Sequence, residues 1–539
     1  MKVLLVGINS KYIHPAMGIM QLAANTSWPV IIWEGTIKDD VHRVVNDILS
    51  YHADVIGISV YIWNASFVQK VISLLPSSLT IVLGGPEASY RYLDYFSYPN
   101  VAYIIKNEGE RAFHLLLDFF NGQLSKSSVP NLFYRDQGIK FTFDQSSDIS
   151  LIKHDYGLMG DPQSRNVYLE SSRGCPYSCS YCLASLDKKV RFFPIEQIKA
   201  EISWALKAQA KTVKFLDRTF NVDSKRMLEI LSFIKDNDNQ TTVFQMEIVA
   251  DILTPEVILF LKQIRLGLIR FEIGIQSTNE ATTKAVFRKQ YFSKIKTVID
   301  EISDHVVVHL DLIAGLPYED KASFHKTFNE TLLIYPDELQ LGILKALAGT
   351  RIVNEKLLHE YAFNDAPPYE IISNKYLSKS DLEEIKLVEE GLNRYYNSHR
   401  FMKTLKHLLS DLQWDGYQLF LALGAYLKEN PQSRLQIKDL AKALASALKL
   451  SSFDYLMILL KQDYLDQAVL KPSIWWEYQI EKPEKYSIFA LFIKEYPVLS
   501  TINLAHNSRL EKWESDSMTE YYLVLYQPKQ SFTLSIKKD

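Results

Sequence analysis

All three cysteines of this 539-residue chain fall within eight residues, Cys175-Pro176-Tyr177-Ser178-Cys179-Ser180-Tyr181-Cys182. They begin four residues past the strand candidate Val167–Ser171. The fold must therefore hold one short loop, at the end of a buried strand, where three thiolates converge. A chain this long with no other cysteine uses sulfur neither for disulfides nor for filling its core. Thiolates at CxxxCxxC spacing reach three irons of a [4Fe–4S] cube and leave the fourth open to a ligand that is not protein. Structural zinc wants four Cys or His ligands; no histidine lies at a ligand spacing, and His154 is well upstream. A disulfide would strand the third thiol.

The length predicts more than one domain. A formal net charge of −3 gives no general argument for polyanion binding, so nucleic acid is not indicated. The apolar run Val3–Val6 is only a strand's length and polar residues follow from Asn9, unlike a signal peptide. No apolar run approaches the roughly 20 residues that span a bilayer. These features predict a cytoplasmic protein with no membrane partner.

Residues 1–125 alternate strand candidates (Lys2–Val6, Val30–Trp33, Asp54–Ser59, Thr80–Leu83, Val101–Ile105) with amphipathic helices. Phe113, Leu116, Leu117 and Phe120 mark one helix face. Such alternation implies right-handed crossovers and a parallel, doubly wound sheet, with ligands outside the carboxyl ends of the strands. Those ends read Gly7-Ile8-Asn9-Ser10, Gly57-Ile58-Ser59-Val60-Tyr61, Gly84-Gly85-Pro86-Glu87 and Asn107-Glu108-Gly109-Glu110. Small residues there let backbone approach a large flat ligand. No GxGxxG follows the first strand, which disfavours a dinucleotide.

Residues 126–165 read as a connector with short strand pieces at Leu132–Tyr134 and Lys140–Phe143. A second βα series follows over 166–350. Its strand candidates are Val167–Ser171, Thr212–Asp217, Val243–Glu247, Ile269–Gly274, Val306–Leu312 and Glu338–Leu344. Six units are fewer than the eight of a closed barrel. Beyond the break at Ala366-Pro367-Pro368-Tyr369, residues 351–539 read as a mainly helical C-terminal domain with a strand near Tyr521–Leu525. Its aromatics, among them Trp414, Tyr417, Phe420, Trp475, Trp476 and Tyr478, are more often core than cofactor site and are assigned no chemistry.

The cysteine loop, with Ser171-Ser172-Arg173-Gly174 before it and Tyr181 ahead of its last cysteine, resembles that of the radical SAM superfamily. The Glu272-Ile273-Gly274-Ile275-Gln276-Ser277 segment resembles a later motif of the same superfamily. The resemblance implies an open (β/α)6 barrel, a cluster held by Cys175, Cys179 and Cys182, and S-adenosylmethionine (SAM) chelated at the free iron. It further implies SAM contacts from Tyr181, Asp217, Glu247, Glu272, Gln276 and Gly315. Asp217 would accept from the SAM amine.

The first domain, through Asn9-Ser10-Lys11-Tyr12-Ile13-His14-Pro15, Gly57-Ile58-Ser59 and Gly84-Gly85-Pro86, resembles the cobalamin-binding, flavodoxin-like domain ahead of many radical SAM domains. The implied contacts are Asn9, Tyr12, Pro15, Ser59, Tyr61, Gly84, Gly85 and Glu108. The cobalt-ligating DxHxxG motif is absent: Asp40-Val41-His42 lacks the glycine and follows the second strand, not the first. His42 reads as a solvated helix residue, and His14 as a surface loop histidine, with a place lining the pocket as the other reading.

The implied enzyme cleaves SAM reductively and, with cobalamin, methylates an unactivated carbon or phosphorus centre of a small molecule. Its electron donor would be a protein such as flavodoxin or ferredoxin. Radical cyclisation, rearrangement or reduction is the alternative, and a corrinoid- or redox-responsive binding protein the alternative of another class. Second-cluster methylthiotransferases and auxiliary-cluster enzymes need cysteines this chain lacks.

Overall fold

The computed structural model describes residues 1–431, 436–450, 455–514 and 517–538. Runs of Val, Ile and Leu form the parallel strands β1 Val3–Asn9, β2 Val30–Thr36, β3 Val55–Ser59, β4 Thr80–Gly84 and β5 Val101–Ile105. β1 and β3 are buried along their whole length. Helices cover both faces, so these strands read as continuous apolar runs rather than alternating ones. Leu4, Val6 and Ile8 pack on one side against Val44, Ile48, Val68 and Ile72. Val3 and Leu5 pack on the other against Phe113, Leu116 and Leu117, the helix face expected from periodicity.

The strand order β2-β1-β3-β4-β5 opens a crevice at the carboxyl ends of β1 and β3, where the winding reverses. The two short strand pieces of the connector, β6 Leu132–Arg135 and β7 Ile139–Phe141, join this sheet as an antiparallel hairpin beside β5. They cover an edge that would otherwise be open to pairing with another chain.

The second sheet has six parallel strands in chain order: Val167–Leu169, Thr212–Phe215, Val243–Ile248, Ile269–Gln276, Val307–Ala314 and Glu338–Ile343. Alternation sorts their side chains. Phe244, Met246, Phe271, Ile273 and Ile275 are buried, while Gln245, Glu247, Glu272 and Gln276 share the opposite, partly open face.

The chain divides into two compact units: 1–327 with 334–337 and 341–382, and 328–333 with 338–340 and 383–539. In the second unit, Gly391 and Gly424 let the helices Lys379–Tyr395 and Gly416–Glu429 cross closely; a Cβ at either would strike the other helix's backbone. Of the tail aromatics, Tyr417 and Phe420 are fully buried, Trp475, Trp476 and Tyr478 are half-buried, and Trp414 is exposed. The unit ends in an antiparallel meander, Ser508–Glu514, Met518–Tyr526 and Lys529–Lys537, where the sequence indicated a single strand. The outer strands are mostly polar, with apolar residues only at Leu510 and Trp513 in the first and Phe532, Leu534 and Ile536 in the last, so they carry little hydropathy signal. No helix among the described residues is long and apolar enough to cross a membrane.

Candidate functional site

The cysteine loop is fixed by backbone contacts before any cofactor is considered. The Cys175 N–H donates to the Asp187 carbonyl (2.8 Å) and the Cys182 N–H to the Cys179 carbonyl (3.2 Å). The Ser180 N–H donates to Val286 O (3.0 Å), and its carbonyl accepts from the Ile352 N–H (3.0 Å). Gly174 turns the chain at φ +92°, and a side chain there would strike the Lys189 carbonyl. Cys175 and Cys179 are buried and Cys182 is half-buried, with burial pushing the Cys182 thiol up. Among the described residues no His, Cys, Asp or Glu group of three or more converges on a single metal ion. A cubane instead spreads its thiolate ligands over separate irons, which is what the CxxxCxxC donor set suits.

Asp217, expected to accept from the SAM amine, is engaged in this structure as the loop's anchor. It is 1% exposed. One carboxylate oxygen accepts from the Ser171 and Ser172 hydroxyls (2.6 Å each) and the other from the Ser171 N–H (2.9 Å). Both oxygens are engaged at the start of the cysteine loop, so neither is directed at an incoming amine. Burial raises its pKa to about 6 despite these donors.

The open face of the barrel carries the other expected SAM residues. Glu247 and Glu272 are register partners on adjacent strands; Gln245 donates to Glu272 (2.8 Å), and Glu247 pairs with Arg218 (3.2 Å). Gln276 sits at φ +66°, beyond a register shift at Gly274. Its amide lies where a Gly274 side chain would be, and its Oε1 is buried with no hydrogen-bond partner. A buried acceptor left open in this way costs about 1–3 kcal/mol unless a ligand satisfies it. Gly315 (φ +101°) packs against Ile371 and passes its carbonyl to Asn374 (2.9 Å), which closes the fifth strand's end. Tyr181 is raised by burial, and its hydroxyl lies 3.4 Å from Arg288.

Arg288 was not singled out from sequence. Its guanidinium also approaches Cys179 Sγ (3.9 Å) and the Gly274 carbonyl, linking the cysteine loop to the fourth strand. No local motif marks it. His309 and Asp311 (3.1 Å apart) extend the polar face, with burial raising Asp311.

Two cavities open at the carboxyl ends of the first sheet. The larger, about 970 Å³, is walled by Asn9, His14, Pro15, Tyr61 and Trp63 on the sheet side and by Tyr168, Gly174, Leu183, Ala184 and Arg218 on the barrel side. The smaller, about 240 Å³, is a slot lined by Gly18, Gly57, Ser59, Tyr61, Gly84 and Gly85. Tyr61 stacks on Trp63 (5.2 Å between centroids). His14 is a wall residue: its Nδ1 lies 2.6 Å from the Tyr168 hydroxyl, and burial, with the charges of Lys214, Lys11 and Arg165, lowers its pKa. His42 is exposed and lines neither cavity.

Two expected cobalamin contacts are placed otherwise. Tyr12 is 65% exposed, outside both cavities, with its ring against Arg165. Glu108 borders both cavities, but its carboxylate accepts from Arg191 (2.7 and 3.1 Å) and the Ser147 N–H (2.7 Å). Burial alone would raise it; these donors outweigh that and hold it below the ordinary value. Arg173 adds ion pairs to Glu108, Glu110 and Glu170, tying the first sheet's strand ends to the residues before Cys175.

Gly85 shows how tight the slot is. It sits at φ +95° and ψ 165°, and a Cβ would lie 2.5 Å from the Val60 carbonyl oxygen. Gly85→Ala is expected to lose about 3 kcal/mol of stability, read as a lowered thermal midpoint. Cobalamin retention should fall with it.

An open barrel with a three-cysteine loop after its first strand, preceded by a doubly wound sheet with a cavity at its strand ends, defines a cobalamin-type radical SAM architecture. Residues 3–117 match the family model described as B12 binding domain and residues 169–331 that described as Radical SAM superfamily. The chain thus carries the domain pair of the cobalamin-dependent radical SAM proteins. Residues 358–533 match a family described as Protein of unknown function (DUF4080).

Among curated proteins, the chain is 24% identical over 243 residues to an uncharacterized methyltransferase of Pyrococcus horikoshii, covering 41% of this chain and 52% of that one. It is 22% identical over 382 residues to the cobalamin-dependent radical SAM methyltransferase TokK of Streptomyces tokunonensis, covering 62% and 53%. The chain therefore spans about half the length of these relatives. The cobalamin-dependent SAM radical enzyme OxsB superposes with a TM-score of 0.60 at 14% identity, over 86% of this chain and 80% of that one. The radical SAM methyltransferase TsrM of Kitasatospora setae gives 0.56 at 12%, over 68% and 78%. At these identities the likeness is one of fold.

Proposed function

We propose that this chain is a cobalamin-dependent radical SAM methyltransferase that methylates an unactivated carbon or phosphorus centre of a small molecule in the cytoplasm. The observation that carries the reading is the 970 Å³ cavity, walled on one side by the first sheet's strand ends and on the other by residues flanking the cysteines. A corrin in that cavity and SAM at the cluster would face one shared space. Bound there, the cluster with SAM supplies hydrogen-atom abstraction and cobalamin supplies methyl transfer.

The chain's own residues hold and exclude. Cys175, Cys179 and Cys182 would ligate the cluster, on a loop that Asp217 fixes from below. The free Oε1 of Gln276 and the carboxylate of Glu272 would accept from SAM hydroxyl groups. The glycine-lined slot would take the nucleotide tail of cobalamin. Tyr61, which lines both cavities, and Trp63, which lines the larger, present stacked rings that would keep water from a bound corrin.

The test is product analysis on anaerobically reconstituted protein supplied with SAM, cobalamin and a strong reductant. Release of both S-adenosylhomocysteine, which marks methyl donation, and 5′-deoxyadenosine, which marks radical cleavage, is expected. 5′-Deoxyadenosine alone would favour cyclisation, rearrangement or reduction. Neither product, with both cofactors bound, would leave a binding protein.

A further inference from the structure

We propose that the outer face behind the cysteine loop, built from Lys284–Lys289 and Arg351–Leu358, is the docking surface for a flavodoxin-type acidic electron donor. The proposal rests on the radical SAM reading, because only a cluster that must be reduced needs such a partner.

Both segments touch the cysteine loop directly through backbone. Ser180, between Cys179 and Cys182, donates to Val286 and accepts from Ile352. An electron arriving at this face therefore needs to cross only the thickness of the loop. Phe287, next to Val286, is held at φ +56° and is 41% exposed. The Arg351 guanidinium covers its ring at 4.1 Å and is itself 59% exposed.

Within the two segments the charge is basic, in a chain whose net charge is −3, while the exposed acids Glu280 and Glu360 lie just outside them. Lys284, Lys289 and Lys356 are exposed, and among the described residues none of them has an ion-pair partner. The nearest acid on the segment, Glu355, is engaged by Arg351 (2.6 Å). Leu357 and Leu358 follow, 93% and 64% exposed. An apolar centre rimmed by cations complements an acidic protein that presents the apolar edge of a flavin; it suits neither a basic partner nor a small anion. In the step itself one electron leaves the donor's reduced flavin and one enters the cluster. No bond forms or breaks.

The experiment measures flavodoxin binding by fluorescence anisotropy, together with 5′-deoxyadenosine release driven by reduced flavodoxin and, separately, by dithionite. Lys284→Glu/Lys289→Glu is expected to weaken binding about tenfold or more and to flatten its salt dependence. Flavodoxin-driven release should fall in step, and dithionite-driven release should stay at the unsubstituted level. The exposed control pair Lys70→Glu/Lys225→Glu should change neither. Unaltered flavodoxin affinity in the Lys284/Lys289 variant, equal weakening in the control, or no binding to the unsubstituted protein would overturn the proposal. Absence of dithionite-driven release from the unsubstituted protein would instead count against the radical SAM reading.

Discussion

Cys179→Ala protein, reconstituted anaerobically, is expected to release 5′-deoxyadenosine only at background, a loss on the order of 10³-fold or about 4 kcal/mol of barrier. It should still bind cobalamin with unchanged affinity. The two halves of this expectation come from different parts of the fold. Cys179 is buried on the cysteine loop beside Arg288, and it lines neither of the cavities at the first sheet's strand ends. The loop's backbone is held by Asp187, Val286 and Ile352, so it does not depend on the thiol for its shape. Alanine therefore removes a ligand and leaves the corrin-side walls in place. Equal loss of SAM cleavage and cobalamin binding would show that the two sites are not separate.

The second large effect is expected at Asp217, where alanine and asparagine should part company. Asp217→Ala leaves the Ser171 N–H and two hydroxyls without their acceptor in a buried position, costing about 3 kcal/mol or more. Cluster retention should fall with it, since Ser172 lies three residues before Cys175. Asp217→Asn keeps an oxygen for the Ser171 N–H and offers an amide that donates to the hydroxyls. Its fold and cluster should persist.

The pH dependence separates the charge from the hydrogen bonds. Burial raises the folded pKa of Asp217 from 3.8 to about 6, so the folded chain holds this proton more tightly than the unfolded one. Its contribution is complete below about pH 4 and is lost as pH rises through about 6, a change of about 3 kcal/mol. Thermal midpoints of the unsubstituted chain should therefore drop across that window by several degrees, through this group. Asp217→Asn should lack that component and be no less stable than the unsubstituted chain at pH 7.5. A matching drop in the asparagine variant would assign the pH dependence elsewhere.

The first sheet was legible because its central strands are buried along their length and appear as short uninterrupted apolar runs, the second because its strands alternate buried apolar residues with partly open ones. The cysteine loop was legible because its chemistry is compressed into eight residues. What escaped was set by contacts far apart in sequence. Asp217 reads as one more acid at a strand end, and only the fold brings it against Ser171 and Ser172, some 46 residues away. Glu108 likewise meets Arg191 across 83 residues, and Arg165 draws Tyr12 away from the cavity across 153. Arg288 follows a short helix with no local signature, yet it spans Cys179, Tyr181 and Gly274. The hairpin at Leu132–Phe141 was seen as two strand pieces, but its pairing with β5 is a long-range register that hydropathy does not encode.

The measurement closest to the central claim is electron paramagnetic resonance of the anaerobically reconstituted, reduced protein with and without SAM. A [4Fe–4S]⁺ signal whose g-values shift when SAM is added is expected, because three cysteines would leave one iron open to SAM. Protein that incorporates no iron and sulfide, or a cluster signal unchanged by SAM, would contradict it.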